Sequence, residues 1–303
     1  MLTGEYAVLD GAKAISLPTK QGQHLAVTNQ RSSDLTWKSL DHKGNVWFEA
    51  KISFFDFSVI KTTHDEHAEK LTKLFKGAVR LNSDFLSKWS GFKATTKLEF
   101  PIEWGLGSSS SLTNIVAQWA DVNPLLLHFK INNGSGYDVA CSAADYPITY
   151  QLIDDSVSYT EIDLEFPFFD NLYFVHLNRK QSSDAGIKYY LKTAKGRKEL
   201  AKEITLISDE IIDCRDLKNF EKLLKEHEKL VSKSLRLSPM GTEFFNDYWG
   251  SIKSLGAWGG DFVMATSDRG DQETIKYFKD KGYHTVVTFD ELFEFHKTLV
   301  TTP

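Results

Sequence analysis

Apolar and polar residues alternate with period two through most of the first hundred positions, and the elements this predicts are short strands. They cover Tyr6 to Leu9, Ala14 to Leu17, His24 to Asn29, Leu35 to Ser39, Val46 to Asp56 and Ala94 to Phe100. Between the last two, Leu71, Leu74, Phe75, Val79 and Leu86 recur at helical spacing and predict a helix within His67 to Leu86. Helices are expected over Leu112 to Ala120 and around Val139 to Ala144, with a strand at Ile148 to Ile153. After about residue 155 the pattern changes: Leu172 to Leu177 reads as a strand, and Ile187 to Leu235 as two or three charged amphipathic helices broken at Cys214 to Leu217. Phe262 to Thr266 and His284 to Thr288 read as strands around a helix at Glu273 to Lys281. This is a mixed α+β pattern, without strict βαβ alternation. Asp154-Asp155-Ser156 and Pro167 interrupt it, which sets the expected domains at residues 1–155 and 156–303.

Composition narrows the classes. The 303 residues are 41% hydrophobic and 25% charged, ample for a globular core. A net charge of -5 argues against a nucleic-acid binder. Two cysteines, Cys141 and Cys214, make no disulfide framework and fit a reducing compartment. No apolar run approaches the roughly 20 residues that span a bilayer, and the first residues lack a secretory pattern, so the expected location is cytoplasmic. No His or Cys pair has metal-site spacing, and no Gly-x-Ser-x-Gly elbow appears. The Lys/Glu run from Lys195 to Lys233 reads as a solvated helix face.

Two segments carry candidate chemistry. Pro101-Ile102-Glu103-Trp104-Gly105-Leu106-Gly107-Ser108-Ser109-Ser110-Ser111 ends a strand and opens a helix. Glycines there let the backbone approach a ligand, and the first-turn N–H groups make an anion site. Taken alone, the same residues equally describe a glycine turn followed by a serine N-cap. It is not a Walker loop, since no Gly-Lys-Ser/Thr closes it. In Gly134-Ser135-Gly136-Tyr137-Asp138-Val139-Ala140, the carboxylate of Asp138 stands at a helix start, suited to orienting or deprotonating an attacking oxygen. An ordinary helix-start aspartate, favoured by the dipole, would look the same.

Three motifs in order sharpen this. Pro-x-x-x-Gly-Leu-Gly-Ser-Ser resembles the phosphate-binding motif of the GHMP kinases, the superfamily of galactokinase, homoserine kinase, mevalonate kinase and phosphomevalonate kinase. Leu2-Thr3-Gly4-Glu5-Tyr6-Ala7-Val8-Leu9 resembles that family's first motif, and Gly256-Ala257-Trp258-Gly259-Gly260-Asp261 its third. The Asp138 segment resembles Gly-Ser-Gly-Phe-Asp-Val-Ala of phosphomevalonate kinases. The resemblance implies an N-terminal domain like ribosomal protein S5 domain 2, a ferredoxin-like C-terminal domain, and an active site between them. It implies that Gly105, Leu106, Gly107, Ser108, Ser109, Ser110 and Ser111 hold the triphosphate of ATP, with Ser109 on Mg²⁺. Asp138 is then the candidate base, and Glu5, Lys20, Gly256, Gly259 and Gly260 the candidate acceptor-side residues. A lone loop lysine such as Lys20 is also simply solvated.

The family's usual Gly-Lys strand would precede Leu-Thr-Gly-Glu, where the sequence starts at Met1; either that start is truncated or another cation does the lysine's work, and Trp258 stands where a glycine is common. Mevalonate kinases also carry a metal-binding glutamate upstream of the aspartate, where this chain has Leu125-Leu126-Leu127-His128. That departure favours a phosphomevalonate-like reading. The expected protein is an ATP- and Mg²⁺-dependent kinase for a small acceptor of the mevalonate (isoprenoid) pathway, monomeric or homodimeric, with neither nucleic acid nor membrane as partner. The alternatives are a kinase of another small alcohol such as homoserine or a sugar, and a catalytically weak nucleotide- or metabolite-binding protein on the same scaffold.

Overall fold

The computed structural model describes residues 1–32, 34–87, 91–154 and 156–294. Asp155 and residues 295–303, read above as part of the domain boundary and of the C-terminal domain, lie outside them. The chain forms two compact units, Gln21–Ala143, and Met1–Lys20 together with Ala144–Pro303. This partition differs from a cut at residue 155. Strand Ala14–Ser16 pairs antiparallel with Ile148–Ile153, and Ala7 and Ala12 are buried in one cluster with Tyr190, Ile204 and Val231. The first twenty residues therefore draw their core from the second half of the chain.

The Gln21–Ala143 unit is built on a five-stranded sheet in the order Gln23–Gln30, Gly91–Leu98, Asp34–Leu40, Val46–Ser53, Val59–Thr62. All pairs are antiparallel except Asp34–Leu40 with Gly91–Leu98. Alternation decides which face is covered: Leu35 and Trp37, Phe48, Ala50 and Ile52, and Ala94 all point into one cluster. Helices Asp65–Leu81, Ser108–Trp119 and Pro124–Ile131 supply Leu71, Leu74, Phe75, Val116, Ala117 and Leu127 to it. Trp37 meets Phe75 edge-on at 5.7 Å between ring centroids. Gly77 lets two helices close together: a Cβ there would lie 2.7 Å from Ile131 Cγ2 and 2.9 Å from Leu127 Cδ1.

The other unit holds a three-stranded sheet, Ala14–Ser16, Ile148–Ile153, Ser156–Glu161, and a four-stranded antiparallel sheet in the order Ile252–Leu255, Phe262–Thr266, Leu172–His176, Val286–Thr288. Its long helices are Ser183–Thr193, Arg197–Ile212, Leu217–Leu235 and Gly270–Asp280. No described helix is long and apolar enough to cross a membrane.

Most predicted elements are present within a few residues, with informative exceptions. Tyr6 to Leu9 is not a strand but runs into a short 3-10 helix, Ala7–Asp10, entered through Tyr6 at φ 58° and left through Gly11 at φ 91°. Two left-handed residues so close together turn the chain before a ladder can form. The predicted helix to Leu86 stops at Leu81, where Asn82 takes an extended backbone and donates its side-chain amide to Ala120 O at 2.7 Å.

Candidate functional site

The glycine-serine segment sits where strand Gly91–Leu98 has ended and helix Ser108–Trp119 begins. Gly105 and Gly107 both have positive φ, 64° and 83°. Gly107 is the N-cap, no side chain caps the helix, and a Cβ at Gly107 would meet nothing within 4 Å. The loop therefore turns an uncapped helix start, with no acid in its first turn, toward open space. Such a start carries free N–H donors and the positive end of the helix dipole, the arrangement that binds phosphates.

The four serines have separate surroundings. Ser109 is exposed, and among the described residues neither it nor Ser108 has a side-chain hydrogen-bond partner. Ser111 Oγ donates to Gln23 Oε1 at 2.8 Å, anchoring the loop to the sheet. Ser110 is buried, and its Oγ donates to Asp138 Oδ2 at 2.5 Å.

Asp138 lies in the short helix Tyr137–Cys141, entered through Gly136 at φ 79°. Its Oδ1 accepts Val139 N–H at 3.0 Å. The preceding loop is held by helix Pro124–Ile131, whose His128 Nε2 is 3.3 Å from Gly134 O. This helix was not predicted, though its start was written plainly: Asn123 Oδ1 accepts from Leu125 N and Leu126 N, and Pro124 occupies the first turn. Within this unit the fold thus joins the glycine-serine loop to Asp138.

The remaining predicted residues lie in the other unit. Glu5 is buried within its own unit. It is 3% exposed, and its Oε1 accepts from Lys253 Nζ at 2.7 Å. Lys253, fully buried in strand Ile252–Leu255, also donates to Ser254 O at 2.9 Å and stands 3.6 Å from Glu228 Oε1. Burial pushes Glu228 up to about 7, Lys253 opposing and Glu5 adding to the rise. His227 Nε2 approaches Glu5 Oε2 at 3.2 Å, but this is not an ion pair. Burial, then Lys253, hold the imidazole neutral, and Nε2 already accepts Gly4 N–H at 3.1 Å. Sequence reading missed Lys253, His227 and Glu228, because alternation cannot show that a strand lysine or a helix acid points inward.

Lys20 is exposed and donates from Nζ to Asp290 O at 2.8 Å, while its own N–H bonds Leu292 O. The first and third glycine motifs do meet. Tyr6 Oη accepts Trp258 N–H at 2.9 Å, and the Tyr6 ring stacks on Tyr190 at 5.5 Å. Gly256 opens onto free space, whereas a Cβ at Gly260 would lie 2.4 Å from Gln181 Cβ, so protein fills that side. Gly259 lies between them at φ 81°.

Among the described residues no group of three or more His, Cys, Asp or Glu is placed to hold a metal. Among the described residues the Ser108 and Ser109 hydroxyls are uncommitted at the loop, and the exposed one is that of Ser109. It suits Mg²⁺, which keeps several waters and shares its sphere with substrate phosphates.

This architecture has known counterparts. The chain is similar to Methanococcus jannaschii mevalonate kinase, at 18% identity over 94% of this chain and 93% of that one, with a TM-score of 0.67. Lactococcus lactis galactokinase, complexed with galactose, aligns at 13% identity over 95% and 90%, with a TM-score of 0.71. Streptococcus pneumoniae phosphomevalonate kinase, in complex with phosphomevalonate and AMPPNP, aligns at 15% identity over 95% and 96%, with a TM-score of 0.63. The fold is α+β, as expected. More particularly, it is the fold of the GHMP kinases. No family model matches the sequence, and no curated protein matches it.

Proposed function

We propose that the protein is an ATP-dependent kinase that transfers the γ-phosphoryl group to a small acceptor of the mevalonate pathway, phosphomevalonate or mevalonate. One observation carries the reading: an uncapped helix start opening onto free space at Gly107, with a carboxylate, Asp138, hydrogen-bonded into the same helix turn. Phosphoryl transfer needs positioning and charge neutralisation more than covalent help. Gly105 to Ser111 supply backbone amides for the phosphates, joined by the hydroxyls of Ser108 and Ser109. Ser109 would hold Mg²⁺, which supplies charge neutralisation when bound. Asp138 would orient the attacking oxygen of the acceptor, and take its proton where that oxygen is a hydroxyl, as the oxygen bonds to phosphorus and the bond to ADP breaks.

The similar structures support the nucleotide and the size of the acceptor: one holds AMPPNP with phosphomevalonate, another galactose. On this reading the ATP-binding residues lie within 1–155 and residues 156–303 complete the enzyme. Gly256, Gly259 and Lys20 are acceptor-side candidates, with Gly260 shaping their loop. The test is an ADP-release assay against mevalonate, phosphomevalonate, homoserine and galactose, beside calorimetry of Mg·ATP. Turnover with phosphomevalonate or mevalonate supports the reading. Turnover only with homoserine or galactose moves the acceptor class, and absent nucleotide binding overturns the kinase assignment.

A further inference from the structure

We propose that Ser110 is a positioning residue for Asp138, fixing the carboxylate in the orientation in which it meets the attacking oxygen of the acceptor; this rests on the kinase reading above. Four serines stand in a row, yet their hydroxyls do different things. Those of Ser108 and Ser109 are uncommitted among the described residues, Ser111 bonds Gln23, and Ser110 alone reaches Asp138. A serine in the first turn of a helix ordinarily bonds its own backbone or water. Ser110 is 4% exposed and bonds instead to a side chain 28 residues away.

The carboxylate is then held at both oxygens, Oδ2 by Ser110 Oγ–H and Oδ1 by Val139 N–H. Each oxygen keeps a second lone pair, so Asp138 can take the acceptor proton without releasing either donor. Ser110 keeps its own proton throughout. Because Ser110 belongs to the turn that faces the phosphates, the same bond ties the placement of the base to the loop that holds the nucleotide. A displacement of about an ångström at a reacting group costs on the order of a hundredfold in rate.

The experiment is a double-mutant cycle in the full chain, with Ser110→Ala, Asp138→Asn and the pair. Alanine is a good helix residue, so the single variant is expected to fold. Ser110→Ala should lower kcat roughly 10- to 100-fold, with ATP affinity unchanged by calorimetry. Ser110→Thr, which keeps the hydroxyl, should recover most of the loss. The pair should be no slower than Asp138→Asn alone, as expected when one residue acts through the other. Unchanged kcat in folded Ser110→Ala, or losses that multiply in the pair, would overturn the proposal. If the wild-type chain turns over none of the acceptors, the kinase reading fails, and the same cycle is read in denaturant unfolding. Coupling on the order of tenfold in the unfolding constant then upholds the tie between the two side chains; additivity overturns it.

Discussion

Lys253 Nζ lies 2.7 Å from Glu5 Oε1, and neither side chain is more than 2% exposed. Glu228 shares the same cation at 3.6 Å, so two acids face one base in a site closed to water. Removing the cation strands both acids. Lys253→Met is expected to cost about 3–5 kcal/mol, the usual penalty for breaking a buried pair on one side. The loss should be smaller at pH 5 than at pH 8, because the stranded Glu228 carboxyl, already raised to about 7, is protonated there. Urea unfolding at the two pH values checks this; an equal loss at both would show the site to be hydrated.

Glu228 gives a pH dependence of definite sign. Its carboxyl is raised from an ordinary 4.5 to about 7 in the folded protein, so the folded state binds the proton more tightly than the unfolded one. Its contribution to stability is complete below pH 4.5 and is lost as pH rises through 7. Glu228→Gln keeps an acceptor for Ser254 Oγ and cannot ionise. Relative to wild type, the variant should gain on the order of 3 kcal/mol between pH 4.5 and pH 8. His227, held neutral, acts in the opposite sense below its ordinary pKa, so the comparison must be between variant and wild type at each pH.

Gly107 combines a φ of 83° with unfilled space beyond its Cα. Gly107→Val places a branched side chain where the backbone disfavours one, and fills the volume assigned to phosphate. Mg·ATP binding by calorimetry should be lost while the circular dichroism spectrum is retained. Unchanged affinity would move the nucleotide away from this loop.

Ser109 is exposed and supports no side-chain bond among the described residues, so Ser109→Ala should leave the melting temperature within a degree or two. The Mg²⁺ concentration needed for half-maximal turnover should rise severalfold. An unaltered titration would pass the metal to Ser108 or to waters.

Asp138→Asn preserves volume and one acceptor oxygen but removes the charge. Turnover should fall by about 10² to 10⁴, the range of general acid–base contributions, with ATP affinity little changed. Near-normal turnover would sink the base assignment and leave positioning by the loop to explain catalysis.

Much of this was legible before any coordinates, for physical reasons. Helices Ser108–Trp119 and Leu217–Leu235, and the strand pattern around Trp37 and Phe48, announce themselves because one face of each is buried in a continuous core. The turn before Ser108 was legible because Gly105 and Gly107 take positive φ, which glycine does at no steric cost. Three things were hidden. Tyr6 to Leu9 alternates like a strand, but Tyr6 and Gly11 take left-handed backbones that periodicity does not record. Which of four identical serines faces Asp138 depends on helix phase relative to a segment 28 residues away. The inward turn of Glu5 depends on Lys253, whose place in the interior is settled only when strand Ile252–Leu255 docks.

The bonds of the first motif also bear on the order in which the chain is built. Thr3 bonds Ser208, Gly4 bonds His227, Glu5 bonds Lys253 and Tyr6 bonds Trp258, at separations of 205, 223, 248 and 252 residues. During synthesis this motif leaves the ribosome more than two hundred residues ahead of these partners. Gln21–Ala143, whose sheet and helices are contiguous in sequence, can close while translation continues. Thr3 to Tyr6 wait for these partners until Trp258 has been made, whereas Ala14–Ser16 can already pair with Ile148–Ile153. The motif thus settles long after it is made.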